Sequence, residues 1–504
     1  MSRNSTFSIW QSRSRLGILC ASFAVLLALL NTFDEQFERR SDDVNLSKRT
    51  KTFADDIDYA LETMQYMHDL QNGRAMIRDV IEKPKEVREY WRCRLKAPEI
   101  VLDHGWVENE GLFLYSATYD RRANSLYPSN HAVQVLAMSY RSIPSTQKVF
   151  CNICDQKSDH CANMEGFVRE IWQRAWDPRD LFYIPNLITC PLPYRMHESD
   201  SLTIQVTLSP CNSKPSALRV NKKSTPKSGR KGVAVCVKGM DFMNDISKRF
   251  VEWIEAQYLL GADTVTVYTY FVSSETQKVL DYYVNNGMLN MVPLELPGDS
   301  PNQNYIRHQF IWRNRQQKRR HELIPYNDCL YRHIDTHEYI LIVDTDEVVV
   351  PLKRNTWMEM LHDVIDGSLK HEVTSISILN AFKFPASRLD ETVPEYMHML
   401  RNRRRSEEIS KAGDYGKSFT STKSVASVFN HFALHRLHAN VSRTIYAKKD
   451  MALKLHYKER CPIESQKECT ILEKVTVDDK SLDRFADALT KRVTAVLKEL
   501  SMTN

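Results

Sequence analysis

The run from Tyr339 to Pro351 (YILIVDTDEVVVP) constrains this chain more than any other segment. Tyr339 to Val343 is a continuous apolar stretch, the signature of a strand buried on both faces of a helix-covered sheet. Asp344, Thr345, Asp346 and Glu347 follow at once, and Val348 to Val350 is apolar again. Carboxylates wedged between apolar runs are costly unless they are paired or bound to metal. In open α/β sheets ligands bind beyond the carboxyl ends of strands. Two carboxylates two positions apart at such an end can converge on one hard cation. Mg²⁺ and Mn²⁺ take oxygen ligands and commonly bridge to phosphates. The plain alternative is a solvated turn after a strand.

The flanking sequence supplies the sheet that this strand needs. From Gly232 onward, strand-like runs (Val233 to Val237, Thr264 to Tyr270, Met288 to Val292) alternate with helical ones (Phe250 to Leu260, Gln277 to Asn285). Gln316 to His333 reads as a helix broken near Pro325. This order predicts an α/β domain with a mainly parallel sheet over residues 232–460. Before it, residues 86–220 carry short β-type runs between Pro, Asn and Ser turns, which predicts a β-rich module. The polar stretch Asn221 to Lys231 reads as a linker, and residues 461–504 as a C-terminal extension.

Leu16 to Phe33 is uncharged, and a helix of about 17–25 residues crosses a bilayer. Arg3, Arg13 and Arg15 precede it, and Asp34, Glu35 and Glu38 follow it. That asymmetry predicts a transmembrane signal anchor at 16–33, a cytosolic tail at 1–15 and a lumenal body beginning with a stem at 34–85. No small-residue cleavage site stands near Leu30. Mean hydropathy of −0.45 excludes a multi-span protein. A lumenal body makes the sequons at Asn45 and Asn440 usable and favours disulfides among the 11 cysteines. Cys151, Cys154 and Cys161 are read as bridge formers in preference to a zinc site with His160. Cys461 and Cys469 read as a local loop closure, and Cys236 and Cys329 as buried thiols. A net charge of +6 is mild for 504 residues and calls for no nucleic-acid partner.

Two chemistries fit the acidic strand end. One is transfer from a nucleotide sugar, where a metal neutralises the departing diphosphate. The other is a phosphohydrolase of the haloacid-dehalogenase type with Asp344 as nucleophile, whose D-x-D-x-[TV] pattern Asp344 to Val348 also satisfies. In that class the motif opens its domain, whereas here it arrives on about the fourth strand, which favours the transferase. A catalytically inactive glycan-binding protein is the non-enzymatic alternative.

Several ordered pieces between about Ile184 and Lys458 resemble glycosyltransferase family 92. They are Pro185 to Pro193, Val235 to Gly239, Phe250 to Ala262 leading to Val265–Tyr268, Tyr326 to Arg332, Asp344 to Glu347, Lys417, His431–Phe432 and His456 to Lys458. The resemblance implies a GT-A-type nucleotide-sugar-binding domain in a single-pass type II protein of the Golgi membrane. It implies an Mn²⁺-dependent (or Mg²⁺-dependent), inverting hexosyltransferase that takes a UDP-sugar, such as UDP-galactose, to a glycan or glycoprotein acceptor. Val237, Lys238, Asn327, Asp328 and Asp344 are then placed toward the nucleotide. Asp346 becomes the direct metal ligand and Asp344 a contact to ribose or, through water, to the metal. A late histidine, His456 or alternatively His431, completes the metal set. Asp390, Glu391, Glu395 and Asp414 lie in the interval expected of the catalytic base, and the sequence does not choose among them. Lys458 stands where the family shows Arg, which removes a bidentate fork. The basic clusters Arg313 to Arg320 and Arg401 to Arg405 read as solvated faces, and Trp253 and Trp357 as core.

Overall fold

A computed structural model describes residues 87–503, apart from 91–92, 125–130, 225, 369–371, 386–389, 439 and 459–465. The expected anchor and stem, Asn45, Cys461 and the side chain of Cys469 lie outside the described residues. No helix among those described is long and apolar enough to cross a membrane.

The N-terminal part is a nine-stranded β structure: β1 (Ile100–Leu102), β2 (Val107–Asn109), β3 (Leu112–Asp120), β4 (Ala132–Tyr140), β5 (Val149–Asp155), β6 (His160–Glu170), β7 (Tyr183–Pro191), β8 (Leu202–Thr207) and β9 (Ser216–Asn221). The strand order is β1-β9-β8-β5-β6-β7-β4-β3-β2, and β9 also pairs with β3. That last pairing closes the sheet on itself. Leu114, Val135, Ile153, Ile188 and Ile204 fill the interior. Three disulfides brace it: Cys93–Cys211, Cys151–Cys190 and Cys154–Cys161. Cys154 and Cys161 face each other across β5 and β6, so bridging replaces any zinc set with His160.

The second sheet contains β10 (Lys231–Asp241), β11 (Ala262–Phe271), β12 (Leu289–Pro293), β13 (His337–Ile342), β15 (Ser375–Ile378), β18 (Lys417–Ser421) and β21 (Ile445–Tyr446). Its order is β12-β11-β10-β13-β18-β15-β21. β10 to β13 are parallel, and β18 runs against both β13 and β15. The chain steps outward from β10 to β12 and then returns to β13 on the other side of β10. The switch point therefore falls between β10 and β13, where open sheets of this kind hold ligands.

Both faces of this sheet are covered, which is why β13 needs no polar alternation. Val233, Val235 and Leu341 pack on one face with helices Ser247–Leu260 and Trp357–Asp366. Ala234, Cys236, Ile340 and Ile342 pack on the other with helix Leu323–His333. Pro325 sits in the first turn of that helix, where its missing N–H does no harm, and the break from Arg315–His321 falls at Glu322. The Cys236–Cys329 disulfide joins β10 to the helix, so the two expected free thiols are bonded. The helix also packs on Tyr115, Leu136, Ile184 and Leu187 of the closed β structure. One core thus runs through both halves.

A third sheet, β14-β22-β16-β17-β23, comprises β14 (Glu347–Pro351), β16 (Asn380–Lys383), β17 (Arg404–Ser406), β22 (Ala452–Tyr457) and β23 (Thr476–Asp478). A small hairpin of β19 (Val425–Val428) and β20 (Ala433–Arg436) lies beside helix Leu323–His333. The C-terminal residues are no appendage. β23 completes the third sheet, and Leu489, Val493 and Leu497 of helix Ala486–Glu499 enter the main core.

Candidate active site

The chain leaves β13 at Val343, turns through Asp344, Thr345 and Asp346, and re-enters a sheet at Glu347. Two buried indoles hold the strand that follows. Trp253 Nε1 donates to the Glu347 carbonyl and Trp357 Nε1 to the Val349 carbonyl, each at 2.8 Å. β14 then pairs antiparallel with β22 in a register that sets Glu347 opposite His456.

That register assembles the site. His456 Nε2 lies 3.2 Å from Asp346 Oδ2, and its Nδ1 lies 3.4 Å from Glu347 Oε1. Lys454, two residues earlier on β22, reaches Glu347 Oε1 at 2.6 Å. Lys417, the first residue of β18, lies 3.4 Å from Glu347 Oε2 and 3.6 Å from Asp344 Oδ2. Lys238, near the end of β10, lies 3.1 Å from Asp344 Oδ1 and 3.4 Å from Glu322 Oε1. The Asp344 backbone N–H donates to Glu347 Oε2 at 3.1 Å. Glu347, Lys417 and Lys454 are all at most 2% exposed.

Burial pushes the Asp344 carboxyl up, but Lys238 and Lys417 outweigh it and hold the group below the usual range. Glu347 is likewise raised by burial and lowered further by Lys417, Lys454 and His456, ending well below. Lys238 is lowered by burial and raised more by Asp344 and Glu322. Burial pulls Lys454 below the usual lysine range against the attraction of Glu347; a 2.6 Å contact to so acidic a carboxylate keeps the pair ionic. Burial and then Lys454 lower His456, leaving the neutral imidazole that a metal requires.

Asp346 and His456 fit a divalent cation. Neighbouring ligands on an octahedral ion with bonds of about 2.1 Å stand roughly 3 Å apart, close to the 3.2 Å seen. His456 Nδ1 faces Glu347 Oε1 and, at the same 3.4 Å, Lys454 Nζ; a metal at Nε2 would select the tautomer that carries its proton on Nδ1, toward Glu347, as in carboxylate–histidine metal sites. Among the described residues no three His, Cys, Asp or Glu side chains gather as a metal cage. The protein offers two donors and leaves the rest of the shell to phosphate and water, as Mg²⁺-like ions accept. Asp344 belongs to the lysines, so its direct role is with charge beside the metal pair.

Other sequence-predicted residues fall elsewhere. His431 Nδ1 donates to the Gly416 carbonyl at 2.7 Å, its Nε2 faces Asn430 Nδ2 at 3.2 Å, and burial lowers it to about 3. Both ring nitrogens are engaged, which removes it from the metal. Asn327 bonds Leu323 and both backbone groups of Val428, and Asp328 accepts from Tyr268 and Arg332. These two side chains fasten the helix and do not face the strand end. Val237 is buried, leaving Lys238 as the polar group there. Asp390 bonds Thr392 and faces Arg403, while Glu391 and Glu395 are exposed. Asp414 is exposed three residues before Lys417, on the loop that enters the site. Arg320 is no solvated residue: it lies buried 4.2 Å from the ring centres of both Trp172 and Phe182. Arg403 and Arg404 pair with Asp478, Asp483 and Glu473, away from any ligand role. Asn440 is exposed in a turn.

Glu347 as a hub and Lys454 were missed. The signal was present in ALKLHY, where a lysine shares a strand with buried Ala452, Leu453 and Leu455. A lysine on a buried strand announces a carboxylate partner.

The family model described as "Glycosyltransferase family 92" matches residues 231–495, more than half of the chain. The "Beta-1,4-galactosyltransferase galt-1" of Caenorhabditis elegans is 25% identical over 283 residues, covering 54% of this chain and 60% of that protein. Among solved structures, S. aureus TarS 1-349 in complex with UDP-GlcNAc is 15% identical, with 46% of this chain and 60% of that chain covered, at a TM-score of 0.25. Glucosyl-3-phosphoglycerate synthase from Mycobacterium tuberculosis, in complex with Mn²⁺, UDP and glucosyl-3-phosphoglycerate, is 12% identical. It covers 55% of this chain and 81% of that chain at a TM-score of 0.19.

Proposed function

The chain belongs to glycosyltransferase family 92, and on that premise we propose that it transfers a hexose from a UDP-sugar to a glycan hydroxyl with inversion, on a GT-A-type domain. The observation that carries this reading is the Asp346–His456 pair beside Glu347, next to a carboxylate–lysine network of Asp344 and Glu347 with Lys238, Lys417 and Lys454, at the switch point of the sheet. Galactose is the proposed sugar, from the name of the C. elegans relative.

A bound Mn²⁺ or Mg²⁺ would be held by Asp346 and His456 and would neutralise the charge that builds on the leaving diphosphate. Lys238 adds positive charge beside Asp344, at the mouth of the same strand end. A carboxylate takes the acceptor hydroxyl proton; the oxygen forms its bond to the anomeric carbon as the bond from that carbon to the diphosphate oxygen breaks. Asp414 is the proposed base, because its loop leads directly into Lys417. Four disulfides among the described residues support maturation in an oxidising, lumenal compartment. A Golgi membrane protein anchored through residues 16–33 is the proposed setting.

The test is UDP release by the full-length protein in detergent micelles, across a panel of UDP-sugars, with and without Mn²⁺ and with a panel of N-glycan acceptors. UDP-galactose, Mn²⁺ and acceptor together are expected to give the fastest release, and Asp346→Asn to slow it by roughly 100-fold. Equal rates for Asp346→Asn and the parent sink the metal assignment.

A further inference from the structure

Helix Asn304–Arg313 is inside out. By helical spacing, positions 305, 306, 309, 312 and 313 share one face, and positions 307 and 311 share the opposite one. Arg307 and Ile311 are the buried pair, whereas Tyr305, Ile306 and Trp312 are 69%, 51% and 53% exposed. Phe310, four residues after Ile306, is half-buried at the margin of the outer face. A helix laid on a core turns its apolar stripe inward. This one turns its aromatic residues outward and holds on largely by polar bonds. His308 Nδ1 lies 2.9 Å from Asp241 Oδ2, and Arg307 donates to the Asn302 and Tyr270 carbonyls. Asp241 ends β10 three residues after Lys238, which reaches Asp344. The helix therefore borders the strand end that carries the acidic motif.

Positive charge gathers beside the outer face. Between Ser300 and His321 the chain carries six Arg and Lys residues and no Asp or Glu. Arg307 and Arg320 are buried, and the other four stand at the surface. Lys318 Nζ lies 5.1 Å from the ring centre of Trp312, a cation–π contact that ties the basic stretch to the aromatic face. Large apolar residues grouped on one exposed face mark an interaction surface. Tyr305 and Trp312 stand seven residues apart, about 10 Å along the helix axis, a distance that an oligosaccharide lying on the helix can span.

We propose that this face docks the acceptor, and that the acceptor it fits is an anionic glycan bearing carboxylate or sulfate groups. This rests on the transferase reading above and adds the acceptor's charge, which that reading leaves open. Apolar faces of the sugar rings stack on Tyr305 and Trp312, and Ile306 and Phe310 fill the space beside them. Acidic substituents meet Arg313 and Lys318. A lipid surface offers similar charges, but anionic lipids concentrate on the cytosolic leaflet, whereas the disulfides favour the lumenal side.

The test is binding of two fluorescent N-glycans, one sialylated and one desialylated, to the full-length protein in phosphatidylcholine nanodiscs, without donor and read by polarisation. At low salt the parent is expected to bind the sialylated glycan several-fold tighter, and high salt to erase the difference. Arg313→Ala is expected to cut that preference several-fold and to leave the neutral glycan unchanged. Trp312→Ala is expected to weaken both glycans several-fold. Both side chains are exposed, so the thermal midpoint is expected to stay that of the parent. Equal binding of the two glycans by the parent, or variants that bind as the parent does, overturn the proposal. An oligoglutamate of equal charge that competes as well as the sialylated glycan overturns the sugar assignment. Loss of glycan binding when phosphatidylserine enters the disc gives the face to lipid and overturns it too. UDP binding in Mn²⁺ is measured on the same discs. Where it persists, these failures leave the transferase reading standing; where it is absent, that reading falls and takes the acceptor role with it.

Discussion

At the scale of single residues, His456 and His431 were indistinguishable in the sequence: each is a late histidine beside an aromatic residue. What separates them is register. β14 and β22 put His456 opposite Glu347, whereas His431 spends its nitrogens on Gly416 and Asn430. Mn²⁺ affinity, read by paramagnetic resonance of the free ion, is therefore expected to fall at least tenfold in His456→Ala and to stay within twofold in His431→Ala. The reverse pattern would exchange the two roles. Glu347→Gln keeps the shape but weakens the hold on His456 Nδ1, and a loss of 10–100-fold in Mn²⁺ affinity is expected. It also leaves Lys417 and Lys454 buried against an uncharged amide, so unfolding in urea should move to lower concentration by an amount worth about 3 kcal/mol. The acidic motif itself was legible because it interrupts an apolar run. Its lysine partners were not, since positions 238, 417 and 454 meet only once the sheets are built.

At the scale of elements, the sequence pattern located β10 to β13, because apolar strands covered on both faces leave an unmistakable run. It located the helices between them except Asn304–Arg313, which buries only Arg307 and Ile311 and so shows no apolar core face. The third sheet was not legible: β16, β17 and β23 are only four, three and three residues long, and their partners are distant in sequence. One contact there makes a pH prediction. Glu252, on helix Ser247–Leu260, accepts from the backbone N–H groups of Met399 at 2.7 Å and Leu400 at 3.1 Å, capping the short helix His398–Arg401. Burial pushes its carboxyl up to about 7 from 4.5, against those backbone bonds. The folded protein thus binds this proton more tightly than the unfolded chain does. Its contribution is full below pH 4.5 and is lost as pH rises through about 7. Between pH 5 and pH 8 the parent is expected to lose stability relative to Glu252→Gln by about 1–3 kcal/mol. Parallel urea midpoints for the two proteins across that range would remove the explanation.

At the scale of the whole molecule, the sequence suggested a β-rich module tethered by a polar linker at residues 221–231, and the structure makes the join a shared core. Helix Leu323–His333 packs on the parallel sheet with one side and on β3, β4 and β7 with another. Arg320 extends from the preceding helix to Trp172 and Phe182 and pairs with Asp177 at 3.2 Å, so that a buried charge from one half finds its counter-ion in the other. Gln317 accepts from the Tyr183 N–H and donates to its carbonyl across the same join. Composition could not reveal this, because a connector that is polar and exposed says nothing about the faces on either side of it. The described disulfides make a direct test possible, since three lie within the β structure, one lies within the α/β part and none crosses. A protease site inserted between Lys227 and Ser228, both exposed, allows the chain to be cut after folding. The two fragments are expected to elute together on gel filtration and to melt in one transition, because the buried face of the helix and the Arg320 charge would otherwise meet water. In the cut protein, Arg320→Ala removes the cation from its aromatic slot and its bonds across the join, while Asp177 keeps Arg179, and separation of the fragments is expected at a denaturant concentration well below that of the cut parent. Fragments that part without denaturant would mean that the two halves merely touch, and the α/β part would then have to bind nucleotide alone.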